Sequence, residues 1–521
     1  MNPQKSQKKP ALSPNLTKPA NQAFYGTAGY RLNTPDLNNV LCRASIIAYI
    51  RSATFAGKFI GLYITASHNP TDYNGIKFID FNGNMLDESW EIASDELVNC
   101  DDQDFTAIIN KTFRLNSNYS NMNDSIRGNI IIGRDTRESG IQLSKNIEEV
   151  LTNHRCNVFN FGEVSCPEMH FLIRKCNEMN EKVDNDIYIK HLYKCFEELT
   201  VITKKNMDIG VDTANGVGKT KIERFLEINP NFGLEVINEP DKNILNKDCG
   251  ADFIKTKNTI PKLKKSNAPI CASFDGDVDR LILFTQEGRI FDGDAQCVYI
   301  AELIKSEIDK TRLNYQVGVV LSYYSNSGAM NYLRSKGFPV VLSQTGVKNF
   351  VRESKKFDVG VYFEPNGHGS VSFSKRFLEK LDEEKESTIL KTMTRMFDPC
   401  VGDAISNLLV FKATLNSISD LTKYKENYSR LLTVKVKDKN SIKVDQNYLV
   451  LDPTIQKKIE EQILLYKGRA FVRPSGTEDL VRVFAECSNE SDCDKLALQV
   501  AQIVYDTCDG QGPHPEISYN H

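Results

Sequence analysis

The feature that most constrains the fold of this chain is a unit that occurs three times: a short apolar strand, a polar loop and a helix. Residues 129–132, 208–211 and 316–321 are apolar runs, and each leads into a loop rich in Gly, Asp, Asn or Ser. Strands that alternate with helices indicate βαβ units and largely parallel sheets. Ligands of such sheets gather beyond the carboxyl ends of the strands, where these loops lie. The pattern therefore predicts three α/β domains whose functional groups stand on loops.

The last hundred residues follow a different pattern. Residues 431–436 and 480–486 alternate like half-exposed strands, and helical patterns follow. They predict a smaller C-terminal α+β domain with an antiparallel sheet. A chain of 521 residues is too long for one hydrophobic core. We therefore expect a disordered tail at 1–20, α/β domains at 21–185, 186–295 and 296–420, and an α+β domain at 421–521.

Composition excludes several classes of protein. A net charge of −3 gives no signal for nucleic acid, and no apolar run approaches the ~18 residues of a membrane span. The 13 cysteines include no CxxC pair, which favours free thiols in a reducing compartment. The first nineteen residues lack the apolar core of a secretory signal. We expect a cytoplasmic protein.

Three carboxylates at alternate positions, Asp275, Asp277 and Asp279, follow a strand-like run and precede Arg280. Carboxylates at this spacing can converge on one hard cation. A calcium EF-hand loop would need Gly at its sixth position and Glu at its twelfth, which are Arg280 and Gln286 here. A structural Asp-rich turn is the other possibility, but it leaves the mutual repulsion of the carboxylates unrelieved. The pattern favours a Mg²⁺ site.

Ser67 and His68 stand in a tight polar loop directly after the apolar run 59–63. A serine hydroxyl is a weak nucleophile, but its phosphoester is a competent phosphoryl donor. Each residue alone is more often a structural loop residue. Lys77 follows this loop, where it is either an exposed lysine or a group that exchanges a proton with a sugar hydroxyl.

Two later loops suit a sugar and a phosphate. Glu364, Asn366 and His368 lie in a Gly-rich loop after a strand, and carboxylate and amide groups match vicinal hydroxyls. A similar loop carries Lys348. The run 473–478 puts Ser-Gly-Thr on a turn whose successive N–H groups can form an anion nest. Arg473 and Arg482 add planar bidentate donors for a phosphate dianion, although a plain turn with surface arginines is equally compatible.

With these loops in order, the chain resembles the α-D-phosphohexomutase superfamily. The resemblance lies in residues 24–31, 65–70, 362–369, 401–406 and 469–482, and so it covers nearly the whole chain. It implies four domains around a central cleft, with Ser67 as a phosphoserine. It also implies that Ser67 and the three aspartates hold one Mg²⁺ per subunit. Further residues would bind substrate or act in catalysis: Arg31, Lys77, His68, Lys348, Arg280, Glu364, Pro365, Asn366, His368, Arg473, Pro474, Ser475, Gly476, Thr477 and Arg482.

The implied reaction interconverts N-acetylglucosamine 6-phosphate and N-acetylglucosamine 1-phosphate, in UDP-N-acetylglucosamine biosynthesis. Phospho-Ser67 would give a 1,6-bisphosphate that turns over in the cleft, and glucose or N-acetylglucosamine 1,6-bisphosphate would be the activator. A mobile last domain would open for this reorientation and close to exclude water. The resemblance implies a sugar phosphate as the partner, no nucleic acid or membrane, and a monomer or weak homodimer.

The chain departs from the family pattern at Val278, where smaller residues are usual, and at Pro365, where Ala is common. Proline removes an N–H, so a ligand contact through that amide would be lost. Three alternatives remain open: a mutase for glucose or mannose phosphates, a metal-dependent phosphatase, and a catalytically silent sugar-phosphate sensor.

Overall fold

Four β-sheets organise the chain. The computed structural model describes residues 12–115, 127–239, 244–311, 315–384, 388–475 and 478–516. Within them, three sheets combine parallel and antiparallel strands and pack against helices, and the fourth is antiparallel throughout. The expected class, three mixed α/β domains and a smaller α+β domain, is confirmed. Gly476 and Thr477 lie outside the described residues.

The first domain is a five-stranded sheet of order β1-β3-β2-β4-β5, in which β2 runs parallel to β4 and antiparallel to β3. Its elements are β1 Tyr30–Leu32, α1 Leu37–Thr54, β2 Phe59–Ile64, β3 Asn74–Ile79, α2 Glu88–Asn99, α3 Phe105–Leu115, β4 Gly128–Arg134, α4 Ser139–Asn153, β5 Cys156–Glu163 and α5 Cys166–Met179. Strand β2 is buried along its whole length, because it has neighbours on both edges and helices α1 and α5 pack against it. Its carboxyl end leads into the loop of Ser67.

The second domain has the strand order β10-β9-β8-β6-β7. Its elements are α6 Ile187–Thr203, β6 Ile209–Asp212, α7 Gly218–Ile228, β7 Leu234–Val236, α8 Ala251–Lys257, β8 Ile270–Phe274, β9 Leu281–Phe284 and β10 Ile290–Phe291. The adjacent strands β8 and β9 are antiparallel. The loop between them carries the three aspartates, so a tight connection fixes the position of those residues.

The third domain has the order β12-β11-β13-β14, with only β14 antiparallel to its neighbour. Its elements are α9 Gly293–Asp309, β11 Val317–Ser322, α10 Ser327–Ser335, β12 Val340–Ser343, α11 Val347–Ser354, β13 Val359–Phe363, β14 Gly369–Phe373, α12 Lys375–Glu383, α13 Thr388–Met396 and α14 Ala404–Thr414. The boundary expected between residues 295 and 296 falls inside α9. That helix begins at Gly293, because Asp292 caps it by accepting from the N–H of Asp294.

The fourth domain is a three-stranded antiparallel sheet of order β15-β17-β16. Its elements are β15 Tyr428–Lys435, α15 Pro453–Tyr466, β16 Arg469–Pro474, β17 Leu480–Cys487 and α16 Glu490–Thr507. An aromatic cluster joins it to the third domain: Tyr323 and Tyr324 pack on Tyr448, Phe471 and Phe484. Arg469 adds hydrogen bonds of 2.8 and 2.7 Å to the carbonyls of Tyr323 and Ser325.

The second and third domains share one hydrophobic core, whereas the first and fourth have cores of their own. The tail expected to be disordered over residues 1–20 differs from that prediction over residues 12–20. Leu16 is buried, and its carbonyl accepts a 2.9 Å hydrogen bond from the buried Arg43. The N–H of Lys18 donates to Asp102 at 2.7 Å. Residues 1–11 lie outside the described part of the chain.

Candidate active site at the junction of the domains

Ser67 is held rigidly at the carboxyl end of β2. It is fully buried, and its backbone is left-handed at φ 51°, which is unfavourable for a side chain other than glycine. The N–H of Ser67 donates to Oγ1 of Thr65 at 2.8 Å, and its hydroxyl donates to Oδ2 of Asp275 at 2.9 Å. Non-glycine residues in this conformation cluster at functional sites. The strain here aims the hydroxyl at the aspartate loop of the next domain.

Two side chains from different domains fix the Ser67 loop by its carbonyls. Arg137 donates to the carbonyls of Ser67 and Asn69 at 3.2 and 2.5 Å, and Asn246 donates to the same pair at 2.8 and 3.0 Å. Buried Asp135 anchors Arg137 by an ion pair and accepts from Thr65 at 2.6 Å. Sequence reasoning missed these residues, although Asp135 and Arg137 lie in one of the three polar loops.

The aspartate loop turns sharply at Val278, whose φ of 67° is rare for a β-branched residue. The Val278 side chain is buried in the core shared by the second and third domains, so it points away from the carboxylates. Oδ1 of Asp275 accepts from the N–H groups of Asp279 and Arg280 at 3.0 and 3.2 Å. All three carboxylates are buried, and that of Asp275 faces Ser67.

Lys77 neutralises part of this charge. Its ammonium lies 2.7 Å from Oδ2 of Asp277 and 3.1 Å from Oδ2 of Asp279. Although burial opposes it, these two carboxylates raise the pKa of Lys77 well above its usual value. Burial and then the neighbouring Asp279 and Asp277 raise the pKa of Asp275. One lysine therefore does not balance the three carboxylates.

The donor set fits a hard divalent cation. Oδ1 of Asp277 and Oδ1 of Asp279 are buried and accept no hydrogen bond from the described residues. Unpaired buried carboxylate oxygens are costly unless a cation binds them. Cys166, Asp277 and Asp279 also offer ligand atoms within 4.8 Å of one another. The Lys77 ammonium already contacts Sγ of Cys166 and the Oδ2 atoms of both aspartates, so the Oδ1 side is the better cation site.

Further positive groups surround the aspartates. Nε of Arg280 lies 4.0 Å from Oδ2 of Asp275 and 3.8 Å from Oδ1 of Asp279. Arg31, on β1, is half-buried, and burial lowers its pKa against the attraction of Asp277.

His68, by contrast, is neutral near pH 7. Burial, followed by the charges of Arg280 and Arg31, lowers the pKa of this imidazole to about 3. Its Nδ1 is buried and has no hydrogen-bond partner among the described residues.

The predicted sugar loop docks directly on the aspartate loop. The N–H of Leu281 donates to the carbonyl of Gly367 at 3.1 Å, and Nδ1 of His368 lies 3.8 Å from Oδ1 of Asp279. The N–H of Gly402 donates to Nε2 of His368 at 3.0 Å, which leaves the proton of the neutral ring on Nδ1. Glu364 is buried, and its charge acts on Arg280. His368 is therefore a link between loops, and Asn366 supports it, since its Oδ1 accepts from the N–H of His368 at 3.0 Å.

Pro365 is buried beside the start of α9, and its carbonyl accepts from the N–H of Gly293 at 3.4 Å. A Cβ at Gly293 would lie 1.9 Å from the carbonyl oxygen of Glu364. Only glycine therefore permits this approach. Gly293 was missed in the sequence, where a single Gly at the start of a helix gives little signal.

Lys348 lies at the interface of the first and third domains. Its ammonium forms an ion pair with Glu91 of α2 and donates to the carbonyl of Leu86. The side chain expected to face a ligand thus joins two domains in this structure.

The phosphate loop stands on the fourth domain. Arg473 and Arg482 are directly opposite each other on the antiparallel pair β16 and β17. Like charges at such positions repel, and the described residues provide no ion pair for either arginine. The N–H of Ser475 donates to the carbonyl of Leu480 at 2.9 Å, which closes the hairpin. No hydrogen bond among the described residues links the two arginines to the aspartate loop.

The fold and the site are those of an α-D-phosphohexomutase: four domains, with a strained serine at an aspartate loop and a separate arginine pair. Family profiles agree over the chain. Phosphoglucomutase/phosphomannomutase domains match residues 37–104 and 105–217 (domain I), 186–288 (domain II) and 431–503 (C-terminal domain). The profile of phosphoacetylglucosamine mutase AMG1, domain III, matches residues 292–419.

Individual relatives narrow the class. The probable phosphoacetylglucosamine mutase of Encephalitozoon cuniculi is 53% identical, and the match covers 97% of this chain and 98% of the relative. A crystal structure of N-acetylglucosamine-phosphate mutase in a substrate complex is 33% identical with a TM-score of 0.88, covering 94% of this chain and 98% of the other. The Aspergillus fumigatus mutase in complex with GlcNAc-6P and magnesium is 32% identical with a TM-score of 0.87, covering 94% and 97%. The chain belongs to the phosphoacetylglucosamine mutase family.

Proposed function

We propose that this protein interconverts N-acetylglucosamine 6-phosphate and N-acetylglucosamine 1-phosphate by way of phosphorylated Ser67 and a 1,6-bisphosphate. One observation carries the proposal: the Ser67 hydroxyl is 2.9 Å from Asp275, beside two buried carboxylates that each keep one oxygen without a hydrogen bond from the described residues. A site with a phosphate acceptor, a cation cage and a separate arginine pair suits the transfer of one phosphate while another is held.

In this proposal Asp275, Asp277, Asp279 and the oxygen of Ser67 hold one Mg²⁺ per subunit. The cation would withdraw charge from the transferring phosphoryl group. Arg280 supplies a second positive contact at the same place. In the transfer, the bond between phosphorus and Oγ of Ser67 breaks, and a bond from phosphorus to the sugar hydroxyl oxygen forms. The sugar hydroxyl loses its proton and Oγ of Ser67 takes one up, so no net proton is released. A pKa of about 3 makes neutral His68 a hydrogen-bonding group rather than a proton acceptor, and Asp277 and Asp279 hold Lys77 as a charged group.

The remaining predicted residues divide between the sugar and the second phosphate. Glu364 and Asn366 would accept and donate to sugar hydroxyls. Arg473 and Arg482, with the turn that Pro474 and Ser475 begin, would hold the phosphate that is not transferred. Arg473 and Arg482 face each other and repel, and a phosphate dianion bound between them would relieve that repulsion. This supports the assignment.

Substrate choice rests on the relatives, whose names specify the N-acetylated sugar. The glucose and mannose phosphates are the second candidates, and glucose or N-acetylglucosamine 1,6-bisphosphate is the proposed activator. A phosphatase is disfavoured because it has no need of a second phosphate loop. A silent sensor is disfavoured because it has no need of Ser67 with three aspartates.

We further propose a cytoplasmic location, a monomer or weak homodimer, and no nucleic-acid or membrane partner. All 13 cysteines are free, as expected in a reducing compartment. Among the described residues, no helix has the length and apolar character needed to cross a bilayer.

The test is an isomerisation assay with Mg²⁺ and a trace of glucose 1,6-bisphosphate. N-acetylglucosamine 1-phosphate should be converted to the 6-phosphate without stoichiometric release of inorganic phosphate, and faster than glucose or mannose 1-phosphate. Release of phosphate without formation of the isomer would indicate a phosphatase. A faster reaction of glucose or mannose 1-phosphate would make that compound the preferred substrate. No turnover of any of the three would favour the sensor.

A further inference from the structure

Cys166 contacts both the aspartate loop and Lys77, the lysine that pairs with two of its carboxylates. It is the first residue of α5, and Ser165 and Glu168 form a capping box that fixes the start of this helix. Its N–H donates to the carbonyl of Asp277 at 2.9 Å, and its Sγ lies 3.3 Å from Nζ of Lys77. Cys166 is 1% exposed. The thiol is thus locked against the lysine by the helix and by the aspartate loop.

The Lys77 ammonium has three N–H donors. Asp277, Asp279 and Cys166 give it three acceptors, at 2.7, 3.1 and 3.3 Å. Both carboxylates take part through Oδ2, and their Oδ1 atoms accept no hydrogen bond from the described residues, although Nε of Arg280 lies 3.8 Å from Oδ1 of Asp279. The position of the ammonium therefore decides which carboxylate oxygens are free.

We propose that Cys166 is a positioning residue: its Sγ accepts the third N–H of Lys77, keeps the ammonium on the Oδ2 side, and so reserves both Oδ1 atoms for the divalent cation. Without this acceptor, the third N–H is free to turn towards Oδ1 of Asp277 or Oδ1 of Asp279, which accept no hydrogen bond from the described residues. A lysine bonded there would compete with the cation for the same oxygens. The inference rests on the cation site of the proposed function.

Cys166→Val tests this directly, because valine removes the acceptor and its side chain is at least as large as the thiol. Cys166→Ser keeps an acceptor. Cys176→Val is the matched control, since Cys176 lies on the same helix and is fully buried, and it has no part in the cage. Mn²⁺ is the probe, because it takes the same oxygen ligands and its free form is measured by electron paramagnetic resonance.

The dissociation constant for Mn²⁺ should rise about tenfold in Cys166→Val and stay within about twofold in Cys166→Ser and Cys176→Val. Thermal unfolding without metal separates this effect from a loss of folding, and Cys166→Ala replaces the valine variant if that variant does not fold. An Mn²⁺ affinity of Cys166→Val within about twofold of wild type would overturn the role of Cys166 alone. A folded wild type that binds no Mn²⁺ would overturn the cation site as well.

Discussion

The hydroxyl of Ser67 donates a 2.9 Å hydrogen bond to Asp275, a residue 208 positions further along the chain. The bond crosses from the first domain to the second, and both residues are at most 1% exposed in this structure. The two residues are therefore placed by the packing of whole domains. This relationship gives the proposed chemistry its first testable consequences.

Ser67→Ala should lower turnover by at least about a thousandfold, because the phosphate carrier is lost. The substitution removes one oxygen and leaves the carbonyl of Ser67 bonded to Arg137 and Asn246. Binding of N-acetylglucosamine 6-phosphate, measured by calorimetry, should thus stay within about fivefold of wild type. Turnover near that of wild type would mean that another group carries the phosphate.

Lys77→Met should lower the free energy of unfolding by about 3 kcal/mol in the absence of metal, because two buried carboxylates lose their partner. Mg²⁺ should restore part of this loss, since the cation offsets the same charge. Lys221→Met is the matched control, because Lys221 forms a buried 2.6 Å ion pair with Glu168. Urea unfolding with and without Mg²⁺ measures the effect, and equal rescue of both variants would argue against a cation at the aspartates.

Arg473→Gln and Arg482→Gln should each raise the KM for the sugar phosphate about tenfold or more, because a charge-assisted bond to phosphate is lost. Stability should not fall, since the substitution removes a repulsion between facing side chains. Arg430→Gln serves as the control, because Arg430 lies on the same sheet and pairs with Asp494. Initial rates at varied substrate concentrations give these KM values. Unchanged KM values would show that this loop does not bind the phosphate.

Asp294→Asn should change how stability depends on pH. Burial and then Asp292 raise the pKa of Asp294 to about 8, well above the usual 3.8. The folded protein therefore keeps a proton that the unfolded chain releases, and the stability from this group is lost as the pH rises towards 8. The asparagine cannot ionise, and its oxygen can still accept from the N–H of Asn326, 2.7 Å from Oδ2.

The free energy of unfolding of Asp294→Asn, minus that of wild type, should consequently grow by roughly 2–4 kcal/mol between about pH 5 and pH 8. Urea unfolding at a series of pH values measures this difference. A difference that stays constant over this range would show that Asp294 is ionised in the folded protein.

The sequence predicted that the Ser67 loop and the aspartate loop lie together, and the structure brings Ser67 into contact with Asp275. Ser67 and the three aspartates follow strand-like runs, and the carboxyl ends of strands are where sheets place their ligands. Lys348 shows the limit of this reasoning: its loop has the same character, but the packing of domains gives its ammonium to Glu91.

Residues that act across domain boundaries could not be predicted in this way. Asn246 holds the carbonyl of Ser67 from 179 positions away, and the N–H of Cys166 donates to the carbonyl of Asp277 because α5 packs beside the aspartate loop. The tail shows the opposite error. Its composition suggested disorder up to residue 20, whereas one buried leucine, Leu16, and the hydrogen bonds of Arg43 hold residues 12–20 against the first domain.

The most direct test of the phosphoserine mechanism is intact-mass analysis with phosphosite mapping after incubation with glucose 1,6-bisphosphate and Mg²⁺. Wild type should gain a single phosphate, located on Ser67, and should lose it to added N-acetylglucosamine 6-phosphate. Ser67→Ala should gain none. A phosphate on any other residue, or a wild type that turns over substrate without ever carrying one, would contradict the mechanism.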